Sequence, residues 1–140
     1  MEAKPRDYRG EAVTVTFDSV RCIHAQECVR GLPEVFDIDE RPWVQPQNAG
    51  ADAVVDVVSR CPTGALHTER RDSGQGEAPI TDVTIREVVN GPLYVSGEVS
   101  VVDDDGAVFR EDWRVALCRC GASDDKPFCD GSHTAAGFTA

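Results

Sequence analysis

The N-terminal half of the chain predicts short elements joined by turns. Apolar and polar residues alternate over residues 11–18, which is the period of a half-buried strand. Residues 32–36 predict a turn or short helix, and residues 41–45 a short edge strand, because Pro42 has no amide hydrogen to donate. Residues 51–60 stop before a Cys-Pro step, which favours a helix, although their valines leave a strand as the alternative.

The C-terminal half predicts an antiparallel sheet. Residues 80–89 and 108–117 are predicted strands, and residues 93–102 alternate regularly between apolar and polar side chains. Three aspartates and a glycine at residues 103–106 predict the hairpin turn between the last two strands. With a helix in one half and strands in both, the predicted fold class is α+β with a β-rich C-terminal half.

A polar segment separates the two halves. Residues 68–79 contain two glycines and a proline and show no hydrophobic period, so they predict a linker. The domain prediction is therefore residues 1–70, a linker over residues 71–79, and a second domain over residues 80–140. Three of the six cysteines fall on each side of the linker.

Charge and the N-terminal sequence restrict the partners and the compartment. The net charge is -11, from 25 acidic and 14 basic residues, which disfavours nucleic acid and anionic lipid and suits docking on a basic protein surface. The first residues contain no apolar run, and no stretch is long enough to span a membrane. We therefore expect a cytoplasmic protein, in whose reducing compartment regularly spaced cysteines indicate metal binding.

The densest set of metal-binding residue types lies near the C-terminus. Cys118, Cys120, Cys129 and His133 have the spacing C-x-C-x8-C-x3-H, which supplies three thiolates and one imidazole. These ligands suit either zinc or an iron–sulfur cluster. The tight C-x-C pair fits a cluster better than zinc, but the spacing alone leaves zinc open.

The sequence around these residues narrows the choice. The segment from Leu117 to His133 contains Lys-Pro-Phe followed by Cys-Asp-Gly-Ser-His, and it resembles the mitoNEET-like CDGSH iron–sulfur domain family. The resemblance implies a 2Fe–2S cluster, with Cys118 and Cys120 on one iron and Cys129 and His133 on the other. A neutral imidazole in place of a thiolate is expected to raise the reduction potential. Acid is expected to protonate His133 and release the cluster.

A second cysteine set lies in the N-terminal half. Cys22, Cys28 and Cys61, the last followed by proline, fit the ferredoxin pattern C-x2-C-x2-C plus a remote Cys-Pro, except that Ala25 occupies the middle position. Three thiolates suffice for a 3Fe–4S cluster, whereas a 4Fe–4S cluster needs a fourth ligand. His24, a hydroxide or a small molecule are the candidates for it. The alternative is that the three cysteines are merely buried apolar residues.

This half is similar to the divergent single-cluster 4Fe–4S ferredoxin domain of short bacterial proteins. The resemblance rests on the motifs Cys-x-His-x3-Cys-Val-Arg-Gly, Arg-Pro-Trp-Val and Cys-Pro-Thr-Gly-Ala-Leu, spread over about residues 11–70. It implies a small ferredoxin-like α+β half that binds a cluster and transfers electrons, and His24 matches its pattern as the candidate fourth ligand.

The chemistry of both sites favours electron transfer between a redox partner and the chain. Storage, delivery or sensing through a labile His133-ligated cluster is the second hypothesis, and a zinc-stabilised interaction module is the third. We expect no enzyme activity, because both sites together use all six cysteines as ligands. Without an anchor, the chain is expected to be a monomer or a homodimer away from the membrane.

Overall fold

The computed structural model describes residues 4–78 and 80–140. Residues 1–3 of the predicted first domain, and Pro79 at the end of the predicted linker, lie outside the described residues. Within the described residues, contacts divide the chain into one unit of residues 4–61 and 65–78 and another of residues 62–64 and 80–140.

The first unit is a three-stranded antiparallel sheet with two helices. Its strands are β1 (Arg6–Arg9), β2 (Val13–Phe17) and β3 (Leu66–Arg70), in the order β1-β2-β3. The helices are α1 (Glu27–Gly31) and α2 (Ala51–Val58), the latter preceded by a 3-10 turn over Pro46–Asn48.

The core of this unit lies between α2 and the sheet. The helix buries Val54, Val57 and Val58, because positions three and four residues apart share one helical face. They belong to the same apolar cluster as Val13 and Val15 of β2. Each fully buried valine stabilises the fold by about 1.5–3 kcal/mol. This packing fixes the end of α2, which lies three residues before Cys61.

The second unit is built on another antiparallel sheet. Its strands are β4 (Thr84–Glu87), β5 (Leu93–Val102) and β6 (Val108–Leu117), in the order β4-β5-β6, followed by the short helix α3 (Ser132–Ala135). Asp103 closes the hairpin turn, since its carboxylate accepts hydrogen bonds from the backbone of Asp105 and Ala107. β6 therefore pairs along the length of β5 and ends next to Cys118, the first cysteine of the C-terminal set.

The α+β class is confirmed, and so are the helix that starts at Ala51 and the strands over Leu93–Val102 and Val108–Leu117. The prediction of a strand over residues 41–45 is wrong, because Val44 forms only an isolated bridge with Phe36 there. The predicted strand over residues 80–89 is shorter, since only Thr84–Glu87 pairs with β5.

Two further differences concern the first sheet. Residues 68–70 of the polar segment belong to β3, because they pair with β2 in register. β1 was not predicted from the pattern, because Tyr8 is its one apolar residue. Among the described residues, no helix is both long and apolar enough to cross a membrane.

Candidate metal centres

Backbone hydrogen bonds bring the two ends of the C-terminal motif together. β6 ends at Leu117, and the next residue, Cys118, donates its amide to the carbonyl of Pro127 at 2.8 Å. The amide of Cys129 donates to the carbonyl of Ala116, also at 2.8 Å. These two bonds close the intervening loop, so cysteines eleven positions apart in the sequence lie at the same end of the sheet.

The four predicted ligands form two close pairs. The sulfur atoms of Cys118 and Cys120 are 3.9 Å apart, and the sulfur of Cys129 is 3.5 Å from Nδ1 of His133. All four side chains line one cleft, where Cys129 is buried and the other three are half-buried. Over residues 4–78 and 80–140, no three Cys, His, Asp or Glu side chains converge as ligands of one metal ion would.

Backbone amides surround the sulfur atoms of this site. Gly121 and Gly131 adopt left-handed φ angles of 82° and 87°, which a residue with a Cβ rarely takes, and this turns the chain back toward the cysteines. Hydrogen bonds from backbone amides to a cysteine sulfur stabilise the negative charge of the thiolate. The three bonds run from Gly121 to Cys118 at 3.3 Å, from Ala122 to Cys120 at 3.3 Å, and from Gly131 to Cys129 at 3.4 Å.

The thiols of this site differ in acidity. Burial acts to raise the pKa of Cys118, but hydrogen bonds from the backbone of Ser123 and Gly121 and from neighbouring Cys120 outweigh it, so the pKa is lowered. Burial raises the pKa of Cys129, and the nearby carboxylate of Asp130 adds to that effect. In the absence of metal, Cys118 therefore favours the thiolate more than an ordinary cysteine does, whereas Cys129 favours the neutral thiol.

Polar side chains fix the loop that carries the ligands. The hydroxyl of Ser123, which is buried, donates to the carbonyl of Phe128 at 2.6 Å and accepts from the amide of Asp125 at 3.0 Å. Asp130 accepts from the amides of Asp124 and Ser132 at 2.9 and 3.0 Å. Asp130 directly precedes Gly131, the N-cap residue of α3.

Arg119, between the first two cysteines, ties the site to the turn before β5. Its guanidinium donates to the carbonyls of Val88 at 2.8 Å and Gly91 at 2.9 Å, and it lies 5.0 Å from the ring centre of Phe138. The side chain is four-fifths buried and pairs with Glu87 at 3.4 Å. These contacts hold the C-x-C loop in place.

The N-terminal cysteines come from three separate segments. Cys22 follows β2, Cys28 lies in α1, and Cys61 follows α2, where its amide donates to Val58 at 3.0 Å. Cys28 and Cys61 pack against the apolar core. His24, which lies between the first two cysteines, has a left-handed φ of 59°.

The structure brings these three thiols close enough to affect one another. Burial raises the pKa of Cys28 to about 11, and the negative charges that Cys61 and Cys22 carry as thiolates add to the effect. Burial also raises the pKa of Cys22, although the backbone amide of His24 donates to its sulfur and opposes the rise. His24 itself is exposed, and its side chain lines the same cavity as Cys22 and Cys28.

Several residues around the two sites were missed in the sequence. Arg6 and Tyr8 reach the N-terminal site from β1, whose single apolar residue gives no strand period. Arg41 also lines that cavity. Ser123 could have been noticed as a serine followed by two aspartates, a pattern typical of a turn in which the hydroxyl accepts from the backbone.

Comparison with known proteins identifies both halves. The family described as divergent 4Fe-4S mono-cluster matches residues 8–71, and the family described as iron-binding zinc finger CDGSH type matches residues 90–134. The chain is 39% identical over 61 residues to a protein of Escherichia coli (strain K12) with the name "Uncharacterized protein YjdI". That alignment covers 44% of this chain and 80% of the relative, and the protein of the same name from Escherichia coli O157:H7 matches equally.

Proposed function

Because the chain belongs to the divergent 4Fe-4S mono-cluster family and carries a CDGSH-type iron-binding domain in its C-terminal half, it is an iron–sulfur protein, and we propose that it binds two clusters and transfers single electrons. The first is a 2Fe–2S cluster held by three thiolates and an imidazole. The second is a 3Fe–4S or 4Fe–4S cluster held by three thiolates. The ligands are Cys118, Cys120, Cys129 and His133 for the first cluster, and Cys22, Cys28 and Cys61 for the second.

The observation that carries the proposal is the paired arrangement at the C-terminal site. Two pairs of ligand atoms, 3.9 and 3.5 Å apart, suit two neighbouring irons better than a single tetrahedral zinc, for which all four would converge. The backbone amides aimed at the three sulfurs support the same assignment, because such hydrogen bonds adjust the potential of iron–sulfur clusters. The donor set therefore fits a 2Fe–2S cluster.

The N-terminal site fits a larger cluster less completely. Its three cysteines come from separate segments and influence one another electrostatically, and the vacant ferredoxin position is Ala25. We propose His24 as the fourth ligand of a 4Fe–4S cluster, since its side chain lines the same cavity as two of the cysteines. The ferredoxin-like arrangement of this half and the CDGSH arrangement of the other are part of the same proposal.

When bound, iron–sulfur clusters supply reversible one-electron chemistry. The chain would hold the cluster through the sulfur ligands, and it carries the imidazole of His133 on a short helix. No catalytic step is part of the proposal. Because this chain has a net charge of -11, we expect its redox partner to present a basic docking surface.

Cluster delivery is the second candidate, and the exposure of the C-terminal site favours it. Three of its four candidate ligands, including His133, are half-buried rather than fully buried, so part of each side chain is accessible to an acceptor protein.

A potentiometric titration of anaerobically purified protein, followed by absorption and EPR spectra, distinguishes the two candidates. Electron transfer predicts reversible one-electron waves with iron retained through several cycles. In a parallel sample, an apo-ferredoxin acceptor is added without reductant. Stoichiometric movement of iron to the acceptor, together with irreversible reduction, would contradict electron transfer and support delivery.

A further inference from the structure

A cavity of about 380 Å³ opens beside the N-terminal cysteines. Cys22, His24 and Cys28 form one end of it, and its walls continue to β1 and to the loop before Val44. Cys61 is not among its described lining residues, so the cavity extends away from the third cysteine. Its volume lies within the range of about 300–1,000 Å³ that is typical of small-molecule sites.

The lining of this cavity is unusual in charge. The chain has 25 acidic residues and a net charge of -11, yet the described lining residues include no carboxylate. They do include the guanidinium groups of Arg6 and Arg41. A positive site on a strongly negative protein selects an anion, and arginine matches the planar geometry of a carboxylate.

The positive group and the apolar wall of the cavity are held in place by their own contacts. Nη1 of Arg41 donates to the carbonyls of Ile38 at 2.8 Å and Glu40 at 2.7 Å, which fixes its guanidinium at the cavity. The ring centre of Trp43 lies 5.0 Å from that of Phe17 and 6.4 Å from that of Tyr8, both in edge-to-face contact. A preformed aromatic wall reduces the entropic cost of binding an apolar ligand.

We propose that this cavity binds a small organic anion with an apolar or aromatic body and a carboxylate. Arg6 and Arg41 bind the carboxylate, and Tyr8, Phe17 and Trp43 contact the body. Binding itself needs only these residues.

A second part of the inference rests on the proposed function, because it couples the ligand to the cluster at the cysteine end of the cavity. An anion beside the cluster repels an added electron, so its binding lowers the reduction potential. By linkage, the oxidised protein binds the anion more tightly than the reduced protein does. A tenfold difference in affinity corresponds to about 59 mV for a one-electron couple.

Calorimetric titration of the cluster-loaded protein with benzoate, and with benzamide as its neutral counterpart, tests binding. We expect benzoate to bind at least tenfold more tightly than benzamide. Arg41→Gln and Arg6→Gln are each expected to lose at least tenfold in benzoate affinity, and Arg41→Lys to lose less. Arg9→Gln, on the same strand as Arg6 but outside the cavity lining, is expected to bind as the parent does.

Equal binding of benzoate and benzamide, equal losses in the Arg9 and Arg6 variants, or no benzoate binding to cluster-loaded protein would overturn the inference. The last result would mean that the cluster itself fills the cavity. Iron and sulfide contents, measured on the same samples, show whether the N-terminal cluster is present, so a failure to bind benzoate can be distinguished from a failure to bind the cluster. Benzoate binding to a protein without an N-terminal cluster would refute the cluster assignment and leave the anion site standing. A potential that benzoate does not lower would refute the coupling alone.

Discussion

The two cysteine sites differ in how much of their geometry is local. The candidate ligands of the C-terminal site all lie within residues 118–133, which include a loop that two backbone hydrogen bonds close at its base. Of the candidate cysteine ligands of the N-terminal site, one follows a strand, one lies in a helix and one follows a second helix, so their relative positions depend on the packing of the core. The first site is therefore a property of a loop and the second a property of a fold.

Burial raises the pKa of a thiol at both sites, that of Cys129 at one and those of Cys22 and Cys28 at the other, and Cys118 is the exception. The pKa of Cys118 is lowered because backbone amides outweigh its burial, whereas burial and the other two cysteines raise the pKa of Cys28 to about 11. Metal ligation requires the thiolate, so a site of raised pKa gives up more free energy as its ligands lose their protons. The folded chain must compensate for this cost at Cys129 as well as at Cys22 and Cys28.

The largest expected effect comes from removing one ligand at each site in turn. Cys129→Ser is expected to abolish the C-terminal cluster and leave the N-terminal iron, because each set of ligands belongs to its own segments. Cys28→Ser is expected to do the reverse. Iron and sulfide analysis with EPR spectra checks both variants. If either substitution emptied both sites, the two centres would not be independent.

Replacing the imidazole of His133 by a thiolate would convert the C-terminal site from a mixed-ligand site into an all-thiolate site. His133→Cys is expected to retain its cluster in mild acid several times longer than the parent, because an anionic thiolate replaces a neutral imidazole as a ligand of iron. The decay of the visible absorption band at pH 5 measures this. The N-terminal cluster of the same variant is the internal control, and equal decay rates of the parent and variant bands would contradict the prediction.

A smaller effect is expected at Ser123, which acts through the loop. Ser123→Ala leaves the buried carbonyl of Phe128 without its 2.6 Å hydrogen bond, which costs about 1–3 kcal/mol. Faster loss of the C-terminal cluster to a chelator, with the N-terminal cluster unchanged, is the expected result. The control is Ser100→Ala, an exposed serine on β5 that bonds Glu111 at 3.3 Å. If the Ser100 variant lost its C-terminal cluster as fast as the Ser123 variant, the hydrogen bond from Ser123 to Phe128 would not explain the effect.

The smallest effect concerns the segment after β3. Arg70 donates two hydrogen bonds to Asp72, at 2.7 and 2.9 Å, and this pairing, with help from the amide of Gly74, lowers the pKa of Asp72 to about 2 from 3.8. The pair therefore stabilises the folded state fully above pH 3.8, and its contribution is lost as the pH falls through about 2.

Asp72→Asn is accordingly expected to lower the melting temperature slightly near pH 6 and to have no effect near pH 2. Thermal unfolding of the metal-free protein, followed by circular dichroism, measures the difference, because acid would release the clusters in any case. Asp39→Asn serves as a control for an exposed carboxylate. A difference between parent and Asp72 variant that grew toward low pH would have the wrong sign for this pairing.

Local patterns in the sequence predicted the second sheet better than the first. β5 and β6 match their predicted ends because alternation and an aspartate turn are both local signals. β1 has no such local signal, because it is a strand only through its pairing with β2. Residues 41–45 have the sequence pattern of a strand, but they form only an isolated bridge.

The same distinction applies to the candidate sites. The spacing and the resemblance predicted four candidate ligands at the C-terminal site, and the structure places those residues in two pairs. Arg6 and Tyr8 were not identified, because they reach the N-terminal cavity only through the register of β1 on β2. Residues that act through long-range packing carry no pattern of their own in the sequence.

The most direct test of the two-cluster assignment is the content of iron, sulfide and zinc per chain in anaerobically purified protein, with EPR spectra before and after dithionite. The account predicts about five or six irons per chain, two for one centre and three or four for the other, with two distinct EPR signals. About two irons alone would reduce the N-terminal half to a scaffold. Zinc without iron would contradict the account as a whole.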